Sequence, residues 1–226
     1  MGLTVLIMAA GSGSRMNINK TKQRIILGGK SILRRTVEIF DKCDAVDSIT
    51  VVSREDELNF AKEELEDIKK LRGIVVGGET RLKSVINGVR ALSSDTEFVA
   101  IHDAARCFIS DFDIKKIYED AKIYGAATAS TKITDTIKKT DKDGNIQKTV
   151  DRSSLISVQT PQIFNFKMFI EALETVNCDD ISITDDNMVF ERCGYSVYPT
   201  ETSKTNIKIT VREDLEYAEF LLRGEC

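Results

Sequence analysis

Two kinds of apolar pattern alternate along the first half of the chain. Residues 3–10 are a short continuous apolar run closed by glycine, which predicts a strand buried on both faces. Residues 31–40 carry Ile32, Leu33, Val37 and Phe40 at helical spacing. A β-branched stretch at 48–53 predicts a strand, the charged segment 55–71 a helix, and 73–76 another short strand. Leu82, Val85, Ile86, Val89 and Leu92 share one face of a helix over 81–92. A strand at 98–102 and a helix at 111–124 follow, the helix capped by Ser110 or Asp111. Strands that alternate with helices in this way predict a largely parallel sheet covered by helices, with ligands taken at the carboxyl ends of the strands.

The pattern changes after Ala126. Residues 128–138 are rich in Thr and Ile, 141–145 read as a turn (Asp-Lys-Asp-Gly-Asn), and 146–151 are again extended. This is a β-hairpin, polar on much of both faces, and such a unit projects from a body and needs a partner. Helices are expected at 165–176 and 184–193, strands at 196–199 and 206–210, and a last helix at 213–223. The fold class is therefore α/β: a Rossmann-like mixed, mostly parallel sheet flanked by helices, one domain over 1–226, with a protruding arm at about 134–151.

Composition narrows the function. With 42% hydrophobic residues the chain can bury a core. A balance of 32 basic against 36 acidic residues lacks the basic excess of a nucleic-acid-wrapping protein, so no nucleic-acid partner is expected. The five cysteines are widely spaced with no C-x-x-C pair, which fits a reducing cytoplasm and neither a disulfide framework nor a zinc site. No run approaches the ~20 apolar residues of a membrane span. His102 is the single histidine, which excludes chemistry built on a histidine pair; it is expected to be a packed core residue.

Four segments offer chemistry, and each also has a plainer reading. Ala9-Ala10-Gly11-Ser12-Gly13-Ser14-Arg15-Met16 follows a strand; Gly11 and Gly13 would let backbone N–H groups approach a phosphate chain, with Arg15 and then Lys22 adding charge. It is neither a P-loop nor G-x-G-x-x-G, and its plainer reading is a tight turn with a surface arginine. His102-Asp103-Ala104-Ala105-Arg106 ends a strand, where Asp103 is either a Mg²⁺ ligand or a carboxylate paired to Arg106. Gly77-Gly78-Glu79-Thr80-Arg81-Leu82-Lys83-Ser84 leads into a helix and reads either as a base-recognising turn or as a simple helix start. The hairpin and its exit hold Asp135-Thr136, Asp151-Arg152 and Gln159-Thr160-Pro161-Gln162, where Pro161 suggests a fixed turn.

Taken in order, A-A-G-x-G-x-R-M, K-Q, G-G-x-x-R-x-x-S-V, H-D-A-A-R, D-T-I-K, T-V-D-R, Q-T-P-Q, T-D-D and N-I-K-I-T span residue 3 to about 222. The series resembles the 2-C-methyl-D-erythritol 4-phosphate cytidylyltransferase family, which is among the glycosyltransferase-A-like nucleotidyltransferases. The resemblance implies an enzyme that joins CTP to methylerythritol phosphate, with release of pyrophosphate, in the non-mevalonate route to isoprenoids. It implies Mg²⁺ as cofactor, and a homodimer in which each arm reaches the other subunit's site. Arg15 and Lys22 would bind the triphosphate and act in catalysis with Arg152 and Lys208. Ala9, Ala10, Gly11, Gly13, Gly78, Glu79 and Ser84 would hold the nucleotide. Arg106, Thr136 and Thr160 would surround the acceptor, Asp103 would hold the metal, and Arg152 would be lent across the dimer.

The chain departs from the family pattern at Thr21 and Cys107, where proline is usual, at Arg24, where an aromatic is expected, and at Thr205, where many members have aspartate. The last departure points to a single-carboxylate metal site. Ribitol-5-phosphate cytidylyltransferases share most of these motifs; Ala9-Ala10-Gly11, Ala104-Ala105 and T-V-D-R favour the methylerythritol family. An idle sugar-nucleotide-binding regulator is the reading from another class, and Arg15, Lys22 and Asp103 argue against it.

Overall fold

In a computed structural model, residues 2–11, 21–180 and 182–224 are described. They form a seven-stranded sheet with the strands β1 (Leu3–Met8), β4 (Val46–Ser53), β5 (Leu71–Val76), β6 (Phe98–Asp103), β7 (Ala126–Lys132), β10 (Ile156–Asn165) and β11 (Tyr198–Glu201). The order across the sheet is β11-β7-β10-β6-β1-β4-β5. Every neighbouring pair is parallel except the two that involve β10, so the sheet is mixed and mostly parallel, as expected. The short strands β2 (Ile26–Leu27) and β3 (Lys30–Ser31) pair with each other, and so do the arm strands β8 (Ile137–Thr140) and β9 (Ile146–Val150).

β1 lies in the interior of the sheet because nearly every residue in it is apolar and both of its faces are covered. Leu3, Val5 and Ile7 point to one side, where they join the buried faces of α1 (Ile32–Lys42), α2 (Leu58–Glu64) and α4 (Asp111–Tyr124), among them Val37, Phe40, Ala61, Ile114 and Ile117. Leu6 points to the other side, with Val85 of α3 (Arg81–Arg90), Phe169 of α5 (Phe166–Thr175) and Phe190 of α6 (Asn187–Arg192). Each such side chain contributes about 1.5–3 kcal/mol on burial, so the two clusters supply most of the driving force. A one-residue slip of β1 would exchange the two sets, which fixes its register. The last helix, α7 (Arg212–Leu222), closes a small third cluster through Ala218, with Leu27, Ile32 and Ile209.

Several local expectations need correction. The helix expected over 55–71 is a 3-10 turn at Glu55–Glu57 followed by α2, which stops at Glu64. Leu65 and Ile68 must be buried, and the Glu64 carbonyl is taken by Arg34 Nη1 at 2.6 Å, so the chain turns back to the sheet and β5 begins at Leu71. Segment 206–210 is not a strand; it lies against the molecule as a loop, with Ile209 N donating to the Ala105 carbonyl at 2.9 Å. The strand expected at 196–199 is β11, two residues later. Pro161, expected to shape a fixed turn, sits inside β10, after a cis Thr160–Pro161 peptide, where the register with β7 shifts between Val158 and Gln162. A proline at such an irregularity needs no ladder hydrogen bond, so the strand runs through it.

Candidate active site

β1 is where the chain order reverses: β4 lies on one side of it and β6 on the other. The crevice outside the carboxyl ends of strands at such a point is where open α/β sheets take ligands. A cavity of about 420 Å³ opens there. Ala10 and Gly11 beyond β1, Gly78, Glu79 and Ser84 beyond β5, Asp103 at the end of β6, and Lys22 and Lys208 on two loops all line it.

The wall beyond β5 is shaped by contact. A Cβ on Gly77 would stand 2.6 Å from the Ala10 Cβ, and one on Gly78 would stand 2.4 Å from the Lys83 Cβ. Only glycine allows this turn to fold so tightly against the start of α3. Ser84 fixes it from below: its hydroxyl accepts from Gly78 N at 2.9 Å and donates to the Thr80 carbonyl at 2.9 Å. Thr80 in turn caps α3 by accepting from Lys83 N at 3.1 Å. Glu79 is largely exposed and pairs with Lys83 at 3.2 Å.

Asp103 is the anionic point of the site. Its Oδ2 lies 2.7 Å from Lys208 Nζ and 3.8 Å from Arg106 Nε. Burial pushes its carboxyl up, but Lys208, Arg81 and Arg106 together outweigh that and hold it below the usual carboxylate range. Arg106 is mostly covered and spends Nη1 on the Asn206 carbonyl at 2.9 Å, which ties the strand end to the loop that carries Lys208. Asn206, fully buried, donates to Gln159 Oε1 and to the Thr160 carbonyl, each at 2.9 Å. Thr205 is held within its own loop, its hydroxyl 2.7 Å from that of Ser203.

Behind Asp103 stands His102, fully buried, as expected of a core residue, with its ring edge-on to Phe40. Its Nε2 lies 3.0 Å from the Arg106 carbonyl, which can only accept, so Nε2 carries the proton. Burial lowers its pKa to about 4, so the ring is neutral and Nδ1 accepts from the Thr160 hydroxyl at 3.2 Å. That hydroxyl accepts from Asp103 N at 3.0 Å. Thr160 is thus a buried link between the histidine and the Asp103 backbone.

Arg81 carried no role in the sequence reading, although it lies in the G-G-x-x-R motif; it lines the cavity and forms a two-point pair with Asp186 at 2.7 and 2.6 Å. Burial opposes its charge, and the Asp186 carboxylate more than offsets that, holding Arg81 firmly protonated. Gln162 secures the pair, because its Oε1 accepts from the backbone N of Asp186 and of Asn187. Gln23 was likewise named only within the K-Q pair; it lines the cavity and donates to the Ala9 carbonyl at 2.7 Å.

Thr136 and Arg152 stand apart from this cavity. Both are exposed, Thr136 at the foot of β8 and Arg152 just after β9, where its Nη1 donates to the Thr134 carbonyl. Gly13 and Arg15 lie outside the described residues. Among the described residues the one further grouping of possible metal ligands is Cys43, Asp44 and Asp111, and Lys115 already bridges its two carboxylates at 2.6 and 2.8 Å. No helix among the described residues is long and apolar enough to cross a membrane.

Comparison with known proteins agrees with this geometry. The family model for 2-C-methyl-D-erythritol 4-phosphate cytidylyltransferase matches residues 3–224. The chain is 42% identical over 221 residues to the 2-C-methyl-D-erythritol 4-phosphate cytidylyltransferase of Clostridium acetobutylicum, covering 96% of each chain. It is 41% identical over 222 residues to that of Clostridium novyi, covering 97% of this chain and 96% of the other. The crystal structure of the 4-diphosphocytidyl-2C-methyl-D-erythritol synthase from Anaerococcus prevotii superposes with a TM-score of 0.87 at 31% identity, covering 98% of both chains.

Proposed function

The chain belongs to the 2-C-methyl-D-erythritol 4-phosphate cytidylyltransferase family, and from that premise we infer that it transfers a cytidylyl group from CTP to 2-C-methyl-D-erythritol 4-phosphate. The products are 4-diphosphocytidyl-2-C-methylerythritol and pyrophosphate, a step of isoprenoid biosynthesis. The family assignment favours this acceptor over ribitol 5-phosphate, and a transferase over a non-catalytic regulator. The observation that carries the reading is one cavity into which Gly78, Ser84, Lys22, Lys208 and Asp103 converge from four separate motifs.

An acceptor phosphate oxygen attacks the α-phosphorus of CTP, the new P–O bond forms, and the bond to the bridging oxygen breaks as pyrophosphate leaves. The nucleophile is already an anion, so no general base is needed, consistent with a histidine that is buried and neutral. The barrier is repulsion between a dianion and a triphosphate, and cations offset it. Lys22 and Arg15 serve the triphosphate and Lys208 the acceptor side. The backbone around Ala9, Ala10, Gly11 and Gly13, with Gly78, Glu79 and Ser84, holds the nucleotide. Arg106 and Thr160 contribute from behind the wall by setting the Lys208 loop and the Asp103 backbone.

Asp103 suits Mg²⁺: it is an ionised carboxylate that lines the cavity, and one carboxylate plus substrate phosphates is a usual coordination for this ion. When bound, the ion would neutralise phosphate charge. Asp103 would hold it alone, since Thr205 offers no carboxylate.

The arm is read as the contribution of a second copy in a cytoplasmic homodimer. β8 and β9 form their own two-stranded sheet, and such a unit is marginal alone in water. Ile146 on β9, and Ile156 and Val158 at the outer end of β10, are apolar and exposed. Thr136 and Arg152 would then meet the acceptor in the partner's cavity. The decisive experiment follows pyrophosphate release with CTP and a panel of acceptors. Release with methylerythritol phosphate and not with ribitol 5-phosphate is expected; the reverse preference, or equal turnover with UTP or ATP, refutes the assignment.

A further inference from the structure

Lys22, Gln23 and Arg24 form one 3-10 turn at the lip of the cavity. Successive side chains in such a turn point roughly 120° apart, and these three go to three different places. Lys22 lines the cavity. Gln23 reaches inward to the Ala9 carbonyl. Arg24 turns away toward α2, where its Nε donates to Glu57 Oε2 at 2.7 Å and its guanidinium lies over the Phe60 ring, 4.4 Å from the centroid. The turn's own backbone bonds are few: Arg24 N to the Thr21 carbonyl at 3.0 Å and Ile25 N to the Lys22 carbonyl at 3.2 Å. Two bonds define a turn but do not aim it, so side-chain anchors set its orientation.

We propose that Arg24 is a positioning residue for Lys22, clamping the turn to Glu57 and Phe60 so that the lysine ammonium is aimed at the triphosphate. This rests on the reading of Lys22 as a phosphate-binding cation. Glu57 is only 8% exposed, so its carboxylate is a fixed point of the body to which the more exposed Arg24 is tied by a charge-assisted hydrogen bond. Phe60 fixes the plane of that guanidinium, a restraint that a point-charge ammonium could not accept in the same way. Gln23 secures the inner side of the turn and Arg24 the outer side. Lys22 sits between them in rotation about the axis, so loss of either anchor lets it swing. The aromatic that the family resemblance leads one to expect at position 24 is here replaced by a cation stacked on an aromatic from the neighbouring helix.

The test is a double-mutant cycle of Arg24→Ala with Lys22→Ala in the full chain. Pyrophosphate release from CTP and methylerythritol phosphate is measured at enzyme concentrations that bring the slow variants into range, with thermal melting recorded alongside. Arg24→Ala is expected to lower kcat about tenfold while melting within a few degrees of the wild type, the scale of a small misplacement of a catalytic group. In the Lys22→Ala background it should have almost no further effect. Arg24→Lys should recover part of the loss, and Glu57→Gln, which leaves no orphaned carboxylate, should lower kcat in the same direction; the Glu57→Gln cycle replaces the first if Arg24→Ala does not fold. Equal losses with and without Lys22, or an unchanged kcat in both the Arg24 and Glu57 variants, overturn the proposal. An unchanged kcat in Lys22→Ala alone refutes instead the underlying reading of the lysine.

Discussion

Strand β10 runs from the arm to the cavity wall, yet the two regions are built on opposite principles. The inner half of β10 pairs with β6 and carries Thr160 and Gln162, whose polar atoms are spent on His102, Asp103, Asp185 and Asp186. Its outer half, with Ile156 and Val158, leads back to a hairpin whose side chains are almost all exposed. Around the cavity side chains bond across separate segments, so Asp103, Lys208 and the Gly77–Gly78 turn are held by the chain's own contacts. On the arm the order is local: Asp141 accepts from Asp143 N and Asn145 N to make the turn, and Lys138 reaches Thr149 across the hairpin. The first region is preorganised by its own chain. The second has a shape of its own, with side chains almost all exposed among the described residues, which is the expected form of a part that is completed by another molecule.

Two substitutions separate these cases most sharply. Lys208→Ala removes a cation from the self-sufficient wall and should lower kcat by about 10²–10³, the usual cost of one transition-state contact. Mixing it with Lys22→Ala subunits should give no recovery, because every body then holds one defect. Arg152→Ala should lower acceptor use by roughly a hundredfold and leave CTP binding intact, as expected for the loss of a bidentate phosphate clamp. Mixed with Lys22→Ala subunits it should regain about a quarter of the wild-type rate, since half of randomly formed dimers would hold one site with both residues. Recovery in the first mixture, or none in the second, would break the contrast between wall and arm; so would an active protein that sediments as a monomer.

His102 tests how dry the wall is. Burial lowers its pKa to about 4, against an ordinary value of 6.5. Between those values acid protonates the unfolded chain but not the folded one, so the stabilising contribution is whole above about pH 6.5 and is lost as the pH falls through about 4. From pH 7.5 to pH 5 this amounts to about 2 kcal/mol of folding stability. It is the chain's one histidine, so the imidazole resonance of untagged protein reports it directly. No titration down to pH 5 is expected, together with weaker resistance to urea at pH 5 than at pH 7.5. A midpoint near 6.5 would mean that water reaches the back of the wall.

The contrast also explains how far the sequence could be read. The parallel half of the sheet was legible because β1, β4 and β6 are apolar runs divided by amphipathic helices, and the arm was legible because Asp-Lys-Asp-Gly-Asn makes a turn between polar extended stretches. β10 was not legible: Pro161 reads as a fixed turn, and only pairing with β6 and β7 on both sides carries the strand through it. The end of α2 was hidden too, since what stops it is Arg34, some 30 residues away, taking the Glu64 carbonyl. At the site, Lys22, Asp103 and Lys208 stood out as charges within motifs. The supporting groups, Gln23, Arg24, Arg81 with Asp186, and Gln162, are spread from residue 23 to residue 186, and no local pattern marks them as partners.

The smallest expected effect concerns the turn beyond β5. Gly78 has no left-handed backbone angle to defend; what demands glycine there is proximity, since an added Cβ would stand 2.4 Å from the Lys83 Cβ and 3.0 Å from the Lys83 carbonyl carbon. Lys83 begins the second half of the first turn of α3, and the same turn is tied by the Ser84 hydroxyl to Gly78 N and by the Thr80 cap to Lys83 N. Gly78→Ala must therefore push the loop outward, toward the cavity, rather than the helix inward, because the helix face behind it is packed through Leu82 and Val85. The loop can give, so the cost in stability should stay near 1–2 kcal/mol, at the low end for overpacking. The KM for CTP should rise about tenfold, equivalent to about 1.4 kcal/mol, with kcat at saturation nearly unchanged, as expected for a contact made equally in ground and transition states. Ser84→Ala, which frees the same turn without crowding it, should move KM in the same direction and by less. A Gly78→Ala enzyme with normal KM and lowered kcat would show that this wall shapes the reacting phosphates rather than the nucleotide, and the division of labour between the turn beyond β5 and the cations opposite would have to be redrawn.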